Sequence, residues 1–238
     1  CISFNKRRYI RVKWDVSQKC LSLILNLKGD SIRPNVYAAL SADLNEKSGC
    51  VSSVLPAPIM RRCRAMWIRT APLTGSITLK ESNQSVVSKH DEKGFAFFEI
   101  KKAYYKLRTK KISAISSGQI GERQISFNIT STSLRAVDAD SYNENVFFCD
   151  EQLTPLPPVT ITYPFGLKGK WIIQDTENMV DLSFTPISSH SRTISILILR
   201  TQSHSIYGTF DGVIQTKDGE HITVKDFPGI VRKQLMRL

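Results

Sequence analysis

The sequence predicts an all-β protein of antiparallel sheet, folded as barrels or sandwiches. Short apolar runs recur at turn-punctuated spacing, about a dozen of them, without the strand–helix alternation of βαβ units. Several runs alternate apolar and polar residues with the period of two that a half-buried strand requires. Residues 206–224 hold two half-apolar arms joined by Lys217-Asp218-Gly219-Glu220, and Asp-Gly is a strong signal of a type I′ hairpin turn. Gly208 and Gly212 interrupt the first arm, as glycine does where a strand bulges or another backbone comes close.

The elements follow in order. Tyr9, Arg11, Lys13 and Asp15 alternate with Ile10, Val12, Trp14 and Val16, a strand with one wet face. Residues 20–27 place Leu21, Leu23, Leu25 and Leu27 on one side; Lys28-Gly29-Asp30 turns the chain, and 35–44 is the next strand before a turn at 46–49. Pro56, Pro58 and Pro72 bracket residues 60–70, which fit a basic strand or one helical turn equally. A strand at 75–80 precedes a polar stretch, 81–94, that lacks apolar periodicity. It reads as the linker between a basic N-terminal β domain, 1–93, and a C-terminal β domain, 94–238.

Strands are expected at 95–107, 110–116, 124–130 and 146–149, while Pro155, Pro157, Pro158 and Pro164 exclude a central strand around them. Residues 171–173 and 180–184 pair as a hairpin around 175–178, and 193–201 reads as an apolar strand buried on both faces at its middle. In the tail, Ile230, Val231, Leu235 and Met236 share one face of a short C-terminal helix.

With 238 residues, 41% of them hydrophobic, the chain can bury a core without disulfide staples. The longest apolar runs, 21–27 and 194–199, fall far short of the ~20 residues that a membrane-spanning helix needs, and no hydrophobic signal segment opens the chain. Position 1 is not methionine, as expected of a fragment or a processed start. Cys1, Cys20, Cys50, Cys63 and Cys149 are odd in number and contain no CxxC pair. They read as reduced thiols of an intracellular, cytoplasmic protein. The charge is uneven: residues 1–120 carry 22 Lys/Arg against 8 Asp/Glu, and residues 121–238 carry 11 against 13. That asymmetry suits nucleic acid or an anionic surface as partner; a lysine-rich solvated face accounts for it as well.

The chemistry-bearing residues are few. In residues 101–111 the cations Lys101, Lys102, Lys106, Arg108, Lys110 and Lys111 interleave with Tyr104 and Tyr105, a pattern that pairs phosphates and stacks bases, or equally a strand with a solvated basic side. His90, His190, His204 and His221 form no metal-ligand spacing, although His204 and His221 could face each other across the terminal hairpin. Glu144, Asp150 and Glu151, near Asp138 and Asp140, lack the spacing of a calcium loop. No nucleophile elbow, phosphate loop or dinucleotide fingerprint is present, and Gly118 with Gly121 reads as turn glycine. The sequence therefore implies neither cofactor nor metal. Trp14, Trp67 and Trp171 are core or barrel-lining residues.

One ordered set of motifs resembles a known family. Glu144-Asn145, Leu156-Pro157-Pro158-Val159, Trp171-Ile172-Ile173, 180–186 (VDLSFTP), 207–212 (YGTFDG) and Asp218-Gly219-Glu220 occur in the order of the family known as domain of unknown function 2804, from about Phe95 to the end, with a weaker likeness at Val12-Lys13-Trp14-Asp15. The resemblance implies two packed lipocalin-like β domains, related to carotenoid hydratases and some Diels–Alderases that handle apolar molecules in a barrel. The chain departs from the family where Thr109 is followed by Lys110, Lys111, Ile112 and Ser113 instead of a tryptophan pair, where Gly229 is followed by Ile-Val-Arg232, at the terminal Leu238, and in a shortened 81–94.

Three functions are therefore expected. The first is binding of a hydrophobic small molecule such as a lipid or isoprenoid, with Tyr104, Tyr105, Phe127, Glu144, Asn145, Trp171 and Phe184 as ligand-binding residues. The second is a basic module for nucleic acid or an anionic surface. The third is an isomerase or hydratase whose buried acid would be Glu144 or Asp181.

Overall fold

A computed structural model describes residues 1–44, 49–56, 63–80, 85–89, 94–103, 108–131, 143–196 and 199–237. Every described element is a β-strand, and the described strand registers are antiparallel. The chain divides into two compact units, residues 1–48 with 69–97, and residues 49–68 with 98–238.

In unit 1, β1 (Ile2–Asn5), β2 (Arg8–Asp15), β3 (Cys20–Leu27) and β4 (Asn35–Asp43) form a meander. It continues into β6 (Cys63–Lys80), whose far edge takes β7 (Ser85–Lys89). Short polar side chains shape the turns. Asp15 accepts hydrogen bonds from Ser17 Oγ (2.6 Å) and the Gln18 amide (3.2 Å), and Asp30 accepts from the Ile32 and Arg33 amides. Among the described residues of this unit the buried hydrophobic ones, Leu21, Ala38, Ala42, Leu44 and Ala71, are mostly small. Residues 60–70, ambiguous in sequence, belong from Cys63 onward to β6, which runs unbroken through Pro72. The polar stretch 81–94 contains β7, so it is not wholly a linker.

Unit 2 also contains β5 (Cys50–Pro56), the start of β6 and residues 98–103 of β8 (Gly94–Ala103). Its body is a nine-stranded sheet built from β9 (Arg108–Ile120), β10 (Arg123–Thr130), β11 (Val146–Cys149), β12 (Gln152–Pro155), β13 (Val159–Thr162), β14 (Trp171–Asp175), β15 (Val180–Ile196), β16 (Leu199–Gln215) and β17 (His221–Arg237). The order across it is β12-β11-β10-β9-β17-β16-β15-β14-β13. Pro155 ends an edge strand and Pro157 and Pro158 lie between the two edge strands, where a missing N–H breaks no ladder.

The sheet curls around one core that draws side chains from eight of those strands. Through it runs a row of directly paired aromatics, Trp171, Phe184, Phe210 and Phe227, on four successive strands. The first three are fully buried and Phe227 nearly so. Phe210 meets Phe127 edge to face at 5.0 Å and Phe184 at 4.7 Å. Beside this row lie paired glycines, Gly208 and Gly229. A Cβ at Gly208 would meet the Phe184 ring at 2.8 Å, and one at Gly229 would collide with the Phe210 ring.

One turn expectation changes in detail and one bulge stands where the glycine placed it. Within the turn of the terminal hairpin, Gly219 alone has positive φ (85°). Thr216 accepts from the Gly219 amide and donates its own N–H to Glu220, so the turn is a three-residue loop closed by a glycine bulge, not type I′. Gly212 (φ 138°) sits where the β16–β17 register shifts, the bulge expected of it.

Two larger expectations are overturned. The tail is no helix: 229–237 is strand, paired on one edge with β16 and on the other with β9, so a 3.6-residue period has no place there. Residues 193–201 are not one buried strand. Ile194 and Ile196 end β15, Leu199 begins β16, and all three are exposed because the chain reverses between them.

Truncating Phe210 removes the ring shared by three aromatics. Phe210→Ala is expected to lower unfolding free energy by about 3–5 kcal/mol in urea titration.

Candidate functional site

The expected site residues fall into three groups. Tyr104, Tyr105 and Lys106 lie outside the described residues. Phe127, Trp171 and Phe184 fill the interior of unit 2 as packed core, with Trp171 Nε1 donating to the Leu167 carbonyl (3.3 Å). Glu144 and Asn145, adjacent in sequence, are both buried and do different work.

Asn145 staples backbone. Its Oδ1 accepts from the Thr130 amide and its Nδ2 donates to the Pro157 carbonyl, both at 2.8 Å, joining the end of β10 to the segment between β12 and β13. Glu144 anchors cations. Its carboxylate has no solvent exposure and receives Arg64 (2.7 Å), Lys111 (3.3 Å) and Lys101 (3.7 Å). Glu99 extends the cluster, touching Lys101 and, at 3.8 Å, Arg232. The Arg64 Nε and Glu144 Oε1 approach as an ion pair without the alignment of a hydrogen bond.

Burial alone would raise the Glu144 pKa, but Lys111, Lys101 and Arg64 together hold it below the ordinary carboxylate range. Glu144 is therefore an anion at neutral pH, not the protonated acid that a hydratase or isomerase would use. Asp181, the other expected acid, is exposed and accepts from Gln174 Nε2 (2.9 Å). Burial lowers the Lys111 pKa to about 8, with Glu144 opposing and Lys101 adding to the shift. Arg64 lay in the stretch that the sequence left unassigned, so nothing local connected it with Glu144.

A second cluster is built by register. Beyond the core, the ends of β9, β17, β16 and β15 continue as a four-stranded extension. Directly opposed residues share a face, and faces alternate along each strand. The rung Ala114–Val231–Ile206 belongs to the core, so its face is the inner one. Every second rung outward then lies on that face: Ile112–Lys233–His204, Lys110–Leu235–Gln202 and Arg108–Arg237–Arg200. Arg108, Lys110, Arg200, Leu235 and Arg237 are exposed. Lys111 and Arg232 point to the other face, where the Glu144 and Glu99 cluster lies.

The loop 163–170 stands at the same end. Tyr163 and Leu167 pack on the core, Tyr163 lies 4.5 Å from Trp171, and Lys233 Nζ sits 4.6 Å from the Tyr163 ring centre. A hydrogen bond with Lys233 lowers the Tyr163 pKa against a small opposing effect of burial, and Lys110 adds to the lowering. Segments 108–114, 163–170, 188–196, 199–206 and 230–237 contain ten Lys or Arg and no Asp or Glu.

The basic residues of 101–111 are thus divided. Lys101 and Lys111 are bound into the Glu144 cluster, Lys102 is exposed, and Arg108 and Lys110 join the inner basic face. His204 pairs with Lys233 and His221 with Gln215, near opposite ends of β17, so the two histidines do not face each other. Among the described residues no three His, Cys, Asp or Glu side chains come together as metal donors, all five cysteines are free, and no helix is long and apolar enough to cross a membrane.

Residues 59–238 match the model of a family described as a domain of unknown function, number 2804. No curated protein and no solved structure matches the chain.

Replacing Glu144 would leave three cations facing one another. Glu144→Gln is expected to cost about 3–5 kcal/mol by chemical denaturation, and Lys111→Met clearly less, because Arg64 and Lys101 still neutralise the carboxylate. Native burial disfavours charged Lys111, so that penalty is complete below about pH 8 and is relieved as pH rises toward 10.5. Stability of the native chain is expected to gain on that of Lys111→Met across this window in denaturation at stepped pH.

Proposed function

The chain belongs to the domain of unknown function 2804 family, and from that premise we propose that it binds a small amphipathic acid at the basic mouth of unit 2. The ligand is a lipid- or isoprenoid-like chain ending in a carboxylate or phosphate. The observation that carries this reading is the inner face of β9, β17 and β16, where exposed Lys110 and half-buried Lys233 flank Leu235 on one side of Tyr163 with no acidic residue in those strand ends.

Lys110 and Lys233 supply charge-assisted hydrogen bonds to the headgroup. Leu235 and the Tyr163 ring supply apolar contact, and the exposed Phe165 in the same loop adds more. The interior below is already filled by Phe127, Phe184 and Phe210, so the ligand rests upon the core at its open end. This keeps the apolar ligand class expected from the sequence and moves its place from the interior to the mouth. A few convergent polar groups over an apolar floor is the usual composition of a small-ligand site.

Trp171 lies against Tyr163 and serves as reporter. In a Trp14→Phe, Trp67→Phe background, oleate is expected to change Trp171 fluorescence saturably, and oleyl alcohol is expected to bind at least about tenfold more weakly. Lys110→Glu with Lys233→Glu should weaken oleate binding by about tenfold or more. Equal binding of acid and alcohol, or no saturable change across a panel of long-chain acids, would sink the reading.

A further inference from the structure

The extension carries a second feature that small-molecule binding does not use. Arg108, Arg237 and Arg200 stand directly opposite one another on three adjacent strands, in one rung and on one face. Neighbouring strands are about 4.8 Å apart, and like charges directly opposed destabilise a sheet. Among the described residues, none of the three is paired with a carboxylate, and Arg108, Arg200 and Arg237 are all exposed. A row of this kind is relieved by external anions held at similar spacing.

Immediately beyond the row the last described rung of the hairpin is apolar. Ile196 pairs with Leu199 as the outermost described rung, and Ile194 pairs with Thr201 two rungs further in. Ile196 is 60% exposed, Leu199 44% and Ile194 42%. Arg200 follows Leu199 directly, and Arg192 precedes Ile196 by four positions. Outside the rung partners on β16, residues 188–196 of β15 have no neighbour strand among the described residues, since β14 pairs only with 181–184. At its tip the four-stranded extension therefore carries isoleucine and leucine in the last described rung, one rung beyond the row of arginines.

We infer that this tip docks on an anionic lipid bilayer. Interfacial elements bury their apolar residues about 5–10 Å into the boundary between headgroups and acyl chains. At about 3.4 Å per strand residue that depth corresponds to two or three residues. Leu199 and Arg200 are consecutive, so burying Ile196 and Leu199 leaves the Arg108–Arg237–Arg200 row about one strand residue shallower, from where the long arginine side chains reach back to the lipid phosphates. Binding combines apolar burial with attraction to anionic lipid, neither of which is large alone. The charge arrangement of unit 2 favours this orientation. The turns at the other end of the same strands carry Asp175, Glu177, Asp218 and Glu220, so an anionic surface attracts the tip and repels the opposite end. A single-stranded nucleic acid would instead be expected to meet exposed aromatic platforms, and the exposed apolar residues of this tip are aliphatic.

The docking surface is separate from Lys110, Lys233 and Tyr163, and it stands whether or not the mouth binds an acid. Sedimentation of the full chain with phosphatidylcholine vesicles, and with vesicles containing about one-third phosphatidylserine, tests it. Partitioning onto the anionic vesicles is expected to exceed that onto neutral ones by at least about tenfold and to weaken in 0.5 M-range salt. Ile196→Ser with Leu199→Ser, and separately Arg200→Gln with Arg237→Gln, should each lower it by about tenfold. All four residues are exposed, so thermal unfolding should stay near that of the native chain. The serine pair should leave the oleate titration unchanged, which separates failure of docking from failure of the small-molecule reading. Equal binding to both vesicles, indifference to the serine pair, or stronger binding to a single-stranded polynucleotide than to vesicles would overturn the proposal.

Discussion

The row Trp171–Phe184–Phe210–Phe227, seated beside the paired glycines Gly208 and Gly229, fixes the register on which unit 2 depends. A one-residue slip of a strand moves every side chain to the opposite face. Here a slip would carry large rings to the outer surface and drive others into backbone where only glycine leaves room. Gly118 adds to the lock, since a Cβ there would stand 2.8 Å from the Phe227 ring. Three of the strands that carry these rings, β15, β16 and β17, are long and nearly continuous, so the register set in the core propagates to their far ends. The placement of Lys233 over Tyr163 and the alignment of Arg108, Arg237 and Arg200 follow from aromatic packing several rungs away.

The same continuity explains how charge is distributed. By sequence the excess cations belong to the first half, and the second half is close to neutral. Within unit 2, however, the long strands gather basic residues at one end and most acidic ones toward the other, where Arg123 and Glu220 pair at 2.6 Å. Two kinds of basic site result. On the outer face, Lys101, Lys111, Arg64 and Arg232 are neutralised in part by Glu144 and Glu99, an internal cluster that binds elements together. On the inner face, Arg108, Lys110, Arg200 and Arg237 meet solvent. The first kind is neutralised within the fold and the second is left to solvent or to the anions proposed above.

Much of the fold was legible in sequence because its signals are local. The leucine alternation gave 20–27 as β3, the aromatic run gave 146–149 as β11, and Asp175 with Asn178 marked a turn in which one carboxylate accepts three backbone amides. The misreadings share a cause. Residues 193–201 contain a reversal with none of the glycine, proline or asparagine that usually marks one. The tail has apolar residues in adjacent pairs, a pattern that a helix face and a strand with both edges paired satisfy alike. Phe127, Trp171 and Phe184 were singled out as pocket aromatics, and only packing distinguishes a filled core from a lining. The basic row was beyond local reading altogether, since Arg108, Arg200 and Arg237 become neighbours only through the order β9-β17-β16.

The central claim is that the basic end of unit 2 is where anionic partners act. Lysine acetylation footprinting with and without oleate addresses it directly, because Lys110 and Lys233 lie at that end while exposed Lys217 and Lys225 lie at or near the other end of β17. Oleate is expected to protect Lys110 and Lys233 from modification and to leave Lys217 and Lys225 as reactive as before. Protection spread evenly over all four, or confined to Lys217 and Lys225, would contradict it.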